Sequence, residues 1–285
     1  MKIKIITSYK PGSWQQYAKR GIESMVANLP KEIDIVVYHE GAKADYNNFR
    51  IKWVDLHTAQ PELVKFKYRH KNDPVANGEI EEIPNGVRRS LDLKTLGGQD
   101  KNKESFLWDA VKFSNKVFCI IDAVRNSTNY DYVVWLDADT YTFKTVPIEF
   151  LESLLPENTM LTYLGRENDK EKIYPECGFV GYNLQHPEIQ NFINDWEQLY
   201  ITNDVFKLLE WHDSAVFWHL SKQYRKNKSV TINDIGYHTG VYGHHVFVNS
   251  KLGLYIDHLK GEKRKIDGQS DLKDFNTIKP YWRTA

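Results

Sequence analysis

Apolar residues in this chain gather into short β-branched runs that alternate with stretches of helical period, as strands and helices taken in turn would. Lys2 to Thr7 alternates into Ile5-Ile6 and ends in the loop Thr7-Ser8-Tyr9-Lys10-Pro11-Gly12, after which Ser13 is placed to cap a helix reaching about Asn28. Ile33 to Tyr38 and Ile51 to Leu56 read as two further strands. Strand, helix and strand at this spacing predict a right-handed parallel unit. From Lys65 to Lys103 the periodicity is lost in charged residues and turn pairs such as Asn77-Gly78 and Gly97-Gly98, which predicts an irregular connection or a functional flap.

Ala110, Phe113, Val117, Ile120, Ile121 and Val124 then recur at helical spacing, so a long amphipathic helix is expected from Lys103 to about Asn126. Lys116 lies at the flank of its apolar stripe and Lys112 one turn back, and either is a candidate to reach a phosphate, against the ordinary alternative of facing solvent. Further on, Val146 to Leu155 reads as a short helix, Met160 to Leu164 as a strand, and Pro187 to Tyr200 as a helix opened by an N1 proline. The apolar strand Phe179-Val180 sits among small residues, which favours close approach of backbone to a ligand. Asp213 or Ser214 is placed to cap the helix that follows Trp211-His212, and Gly253 to Ile256 reads as a last strand.

The most informative stretch is Asp131-Tyr-Val-Val-Trp-Leu-Asp-Ala-Asp-Thr140. Tyr132 to Leu136 has no charge and suits a central strand covered on both faces. Ligands of such sheets bind beyond the carboxyl ends of the strands, where Asp137 and Asp139 emerge. Two neighbouring carboxylates repel unless a cation lies between them, and hard oxygen ligands favour Mg²⁺ or Mn²⁺. The plainer alternative is a strand-end turn or a helix cap.

Composition narrows the classes. Lys plus Arg and Asp plus Glu number 38 each, so no strongly basic nucleic-acid footprint is present. Two cysteines without Cys-x-x-Cys spacing indicate neither a disulfide framework nor a zinc site. The opening strand is too short for a signal peptide and no apolar run approaches ~18 residues, so a cytoplasmic protein without a transmembrane segment is expected. Neither Gly-x-Gly-x-x-Gly nor Gly-Lys-Ser/Thr follows the first strand, which counts against a dinucleotide fold and a P-loop ATPase.

Three landmarks stand in order: the strand ending in Asp137-Ala138-Asp139, the small-residue strand leading on to Trp211-His212-Asp213, and His258-x-x-Gly261 with its following bases. Together they resemble the GT-A glycosyltransferases, in which Asp-x-Asp carboxylates bind Mn²⁺ or Mg²⁺ bridging the diphosphate of a nucleotide sugar. Trp211-His212-Asp213 is similar to the Trp-His-Asp-Glu of the blood-group A/B type retaining transferases, with Ser214 in place of the Glu. His258 to Lys265 is similar to the His-x-x-Gly-x-x-Lys of the glycogenin and galactosyltransferase type, with Arg264 and Lys265 replacing the Lys-Pro-Trp ending.

The resemblance implies an α/β, GT-A type fold, Rossmann-like, with a mostly parallel central sheet flanked by helices. The GT-A domain would span 1–258, with 65–103 as an irregular insertion or flap, and 259–285 would be a C-terminal extension closing over the donor site. The implied metal ligands are Asp137, Asp139 and His258. Donor contacts would come from Thr7, Ser8, Tyr9, Ala138, Gly261 and Lys263, together with Lys112 and Lys116. Acceptor contacts would come from Glu176, Trp211 and His212. Asp213 would be the catalytic carboxylate near the sugar carbon, with Glu210 and Glu176 as alternatives. The implied reaction is Mn²⁺- or Mg²⁺-dependent hexosyl transfer, with retention, from a UDP-sugar to a glycan, a small molecule or a modified nucleobase. Two competing readings are a haloacid dehalogenase-type phosphohydrolase and a nucleotide-sugar binder without catalysis. The first expects Thr or Val where Tyr141 stands, and Ser214 is the main support for the second.

Overall fold

A computed structural model of the chain describes residues 1–79, 105–166, 174–226, 229–236, 245–276 and 280–283. The opening strand β1 (Ile3–Tyr9) is followed by α1 (Lys19–Asn28), whose first turns continue a π-helical segment, Trp14–Ala18. Then come β2 (Asp34–His39), β3 (Ile51–Asp55), α2 (Leu56–Ala59) and α3 (Pro61–His70). The middle of the chain gives α4 (Ala110–Arg125), β4 (Tyr132–Leu136), β5 (Thr140–Thr142), α5 (Ile148–Ser153), β6 (Leu161–Leu164) and β7 (Glu176–Asn183). The last third gives α6 (Ile189–Ile201), α7 (Asp213–Tyr224), β8 (Ile232–Asp234), α8 (Val246–Asn249), β9 (Ile256–His258) and α9 (Glu262–Asp267).

Among the described residues seven strands form one mixed, mostly parallel sheet in the order β3-β2-β1-β4-β7-β6-β8. β3, β2, β1 and β4 are parallel, β7 is antiparallel to both its neighbours, and β8 is parallel to β6. The β3-β2-β1-β4 half is Rossmann-like, with the direction of assembly reversing between β1 and β4, the kind of switch point beyond which the ligands of such sheets bind.

β4 is the middle strand, and its alternation explains why it carries no charge. Val133 and Trp135 enter one core with Val117 and Phe118 of α4, Trp196 of α6 and Phe217 of α7, while Val134 and Leu136 enter the other with Ile22 and Met25 of α1 and Phe247 of α8. Among the described residues no helix is long and apolar enough to cross a membrane. Both cysteines are free and buried.

Several local expectations are corrected. Ser13 has helical backbone and makes no cap; its hydroxyl donates to the Lys10 carbonyl. The stretch after Lys65 begins inside α3, which runs to His70, while residues 80–104 lie outside the described residues. Pro187 precedes α6 rather than opening it, since the N-cap is Glu188. Gly253 lies in a 3₁₀ turn, so close to the Val248 carbonyl oxygen that a Cβ would stand 1.9 Å from it, and the strand begins at Ile256.

Candidate functional site

Asp137 and Asp139 leave the carboxyl end of β4 on a tight turn in which the Thr140 amide donates to the Asp137 carbonyl. Close packing on α1 holds this turn. A Cβ on Gly21 would stand 2.1 Å from the Ala138 carbonyl oxygen and 2.8 Å from that of Thr140, and the Thr142 amide donates to Ser24 Oγ at 3.0 Å. β5 then pairs antiparallel with β9, in the register Thr140 to His258, and the Leu259 amide donates to the Asp139 carbonyl at 2.9 Å. A strand nearly 120 residues later in sequence thus delivers His258 to the turn.

Ligand-capable atoms of Asp137, Asp139 and His258 all lie within 4.8 Å of one another. His258 Nε2 is 3.2 Å from Asp139 Oδ1 and 3.5 Å from Asp137 Oδ2. Two ligands at right angles on an ion with bonds of ~2.1 Å stand about 3 Å apart, so these separations suit a divalent cation. The remaining carboxylate oxygens are occupied. Asp137 Oδ1 accepts from Lys116 Nζ at 2.9 Å and Trp135 Nε1 at 2.6 Å, and Asp139 Oδ2 accepts from Lys265 Nζ at 2.8 Å. Each aspartate is therefore held by its outer oxygen with the inner one turned toward the imidazole. The donor set fits Mg²⁺ or Mn²⁺, with an imidazole that favours Mn²⁺.

Lys116 is the hinge of the arrangement. Its ammonium donates to Asp137 Oδ1, to the Cys177 carbonyl at 2.7 Å, and pairs with Asp213 Oδ2 at 2.7 Å. Three hydrogens meet three acceptors, so the expected role of Lys116 as a phosphate contact gives way to that of a strut between two carboxylates. Burial alone would lower its pKa, but Asp137 and Asp213 outweigh burial and hold it well above the ordinary lysine value. Asp213 is the first residue of α7, and its side chain turns to Lys116 instead of capping the helix. Burial pushes its carboxyl up, and Lys116 and then His212 more than offset this, leaving it below the ordinary range. Asp139 behaves alike, with burial overcome by His258 and Lys265.

The other expected site residues divide. Glu176, 2% exposed, bonds Lys260, Arg166 and the Gly178 amide, so it stands behind His258 and not at an acceptor surface. Trp211 is a core residue whose indole donates to the Leu208 carbonyl, packed edge-on against Phe206. His212 does border Asp213, with Nε2 held by Glu210 at 2.8 Å and the rings of Phe106, Phe113 and Tyr174 around it. Thr7 and Tyr9 are buried, and the Tyr9 hydroxyl accepts from the Ala44 amide, which leaves Ser8 as the partly exposed residue at the end of β1. Lys112 lies over Phe113 one turn before Lys116, and Lys263 pairs with Asp267 and Asp271 on the outside of α9. Ala138 supplies backbone to the contact with α1, and Gly261 has φ +85°, a conformation that side chains resist, just before α9.

The sequence reading missed Lys265 as a site residue. α9 carries it over Asp139 and the face of Tyr17, 4.2 Å from the ring centre, and Arg20 fastens the helix by donating to the Lys265 carbonyl. A shallow depression of about 470 Å³ runs along α1 beside Tyr141, but none of the clustered carboxylates lines it. The site is defined by its chemistry rather than by that concavity. Compared with known proteins, the chain matches no protein-family model and no curated protein.

Proposed function

We propose that this chain is a GT-A-type glycosyltransferase that takes a nucleotide sugar, with UDP as the nucleotide, and a divalent Mn²⁺ or Mg²⁺ ion. The observation that carries the reading is the convergence of Asp137 Oδ2, Asp139 Oδ1 and His258 Nε2 at the carboxyl end of the middle strand, beside Asp213. Glycosyl transfer from a nucleotide needs a stabilised diphosphate leaving group, and a bound divalent ion supplies that as a Lewis acid. Asp137, Asp139 and His258 would hold the ion. Lys265, whose ammonium has one carboxylate partner and two further hydrogens, would meet a phosphate oxygen.

Asp213 would face the sugar carbon as it acquires oxocarbenium character, and its depressed pKa keeps it anionic for that role. His212, set between Glu210 and Asp213, would border the acceptor; retention follows from the resemblance to the blood-group type. A phosphohydrolase of the dehalogenase type is less well supported, because Asp137, its nucleophile, has one oxygen held by both Lys116 and Trp135.

Titration calorimetry of UDP with and without Mn²⁺ tests the proposal. Metal-dependent binding is expected in the wild type, lost in Asp139→Ala, and kept in Asp213→Ala with a reduced rate of UDP-sugar turnover. Equal UDP affinity with and without the ion would defeat it.

A further inference from the structure

Glu176 and His258 are each 2% exposed, so the carboxylate is buried beside the imidazole. Its Oε2 is taken by Arg166 at 3.0 Å and by Lys260, one cation from beyond β6 and one from just beyond β9. Its Oε1 is left facing His258 Nδ1 at 3.5 Å and accepts from the Gly178 amide at 3.3 Å. Two cations thus hold one oxygen so that the other is aimed at the imidazole.

The ring has been given room for this. A Cβ on Gly178 would stand 2.7 Å from His258 Cε1 and 2.8 Å from Nδ1, closer than real contacts permit, so only glycine lets the ring lie against β7. The Phe247 ring packs across it, with centres 5.2 Å apart. The imidazole is therefore fixed in plane, with Nδ1 toward one carboxylate and Nε2 toward two others. An imidazole that ligates through Nε2 must carry its proton on Nδ1, and a carboxylate beside Nδ1 selects that tautomer and raises the basicity of the ligating nitrogen.

We infer that Glu176 is a positioning residue which, clamped by Lys260 and Arg166, fixes His258 as the third ligand of the divalent ion held by Asp137 and Asp139. The inference rests on the metal reading proposed above and adds to it a residue that touches neither metal nor substrate.

The test uses the 285-residue chain and Mn²⁺ alone, with free Mn²⁺ followed by electron paramagnetic resonance and folding by circular dichroism. Glu176→Gln is expected to weaken Mn²⁺ binding on the order of 10-fold. Glu176→Asp, which keeps the charge but withdraws the oxygen from Nδ1, is expected to weaken it as well. In a His258→Ala background, Glu176→Gln should add less than a 2-fold loss, because the ring through which it acts is gone. Affinities of both Glu176 variants within 2-fold of wild type would overturn the inference while leaving the metal site standing. A full 10-fold loss persisting in the His258→Ala background would also overturn it, by showing that the charge acts at a distance. Failure of the wild type itself to bind Mn²⁺ would overturn both this inference and the reading it rests on.

Discussion

Replacing Lys116 by Met keeps the volume of the stem and deletes the ammonium that joins Asp137, Asp213 and the Cys177 carbonyl. Removing one member of a buried ion pair costs about 3–5 kcal/mol, since the partner is left desolvated and uncompensated. Two features set the value here. The Asp213 side chain is 13% exposed and loses its cation, whereas Asp137 is 25% exposed and keeps the Trp135 indole. Water can therefore compensate Asp137 in part, and the lower end, about 3 kcal/mol, is expected. For a chain of 285 residues that corresponds to a melting temperature about 5 °C lower.

Urea unfolding at pH 7 measures the loss. Adding Asp213→Asn to Lys116→Met removes the orphaned charge and should recover about 1 kcal/mol. The pH dependence has a definite sign. Asp213 has a folded-state pKa below its unfolded value, so its pairing stabilises above the unfolded value and is lost as pH falls through the folded one. The gap between Lys116→Met and wild type should therefore narrow as pH falls below about 4. A single variant within 1 kcal/mol of wild type at pH 7, or a double variant weaker than the single one, would refute the strut.

Two further outcomes follow from the geometry. Gly21→Ala presses a methyl against the backbone oxygens of Ala138 and Thr140, neither of which can rotate away, so a loss of about 3 kcal/mol and weakened Mn²⁺ binding are expected; unchanged unfolding and Mn²⁺ titrations would show that the turn does not rest on α1. His245 has its pKa pushed down to about 3, by burial first and then by His258, so between pH 6.5 and 3 the unfolded chain takes up a proton that the folded chain refuses. Wild type should accordingly lose up to about 2 kcal/mol more than His245→Gln between pH 7 and 5, as read from urea unfolding, and equal losses would contradict it.

Much of the frame was legible in the sequence because it depends on local pattern. β4 lies where the uncharged run placed it, from Tyr132 to Leu136, since only a strand buried on both faces tolerates that run. α4 follows its stripe but begins later, at Ala110, with Asp109 as the cap that accepts from the Lys112 amide. The site was legible only where a residue sits at a strand end. The grouping of Asp137, Asp139 and His258 was legible; the places of Lys265, Gly21 and Glu176 were not, because each is defined by contacts with distant parts of the chain. Trp211 was misread for a related reason: an aromatic beside a site residue looks the same in sequence whether it faces a ligand or the core. Asp213 looked like a helix cap or a catalytic group, and its engagement by Lys116, nearly a hundred residues earlier, removes the first alternative.

The central claim is that three side chains share one divalent ion. An anomalous difference map from a crystal soaked with Mn²⁺ and UDP tests this most directly. The account predicts one strong peak at about 2.1–2.3 Å from Asp137 Oδ2, Asp139 Oδ1 and His258 Nε2 together, with Lys265 drawn toward a phosphate oxygen. A peak bound elsewhere, or none while UDP is in place with Lys265 still on Asp139, would contradict it.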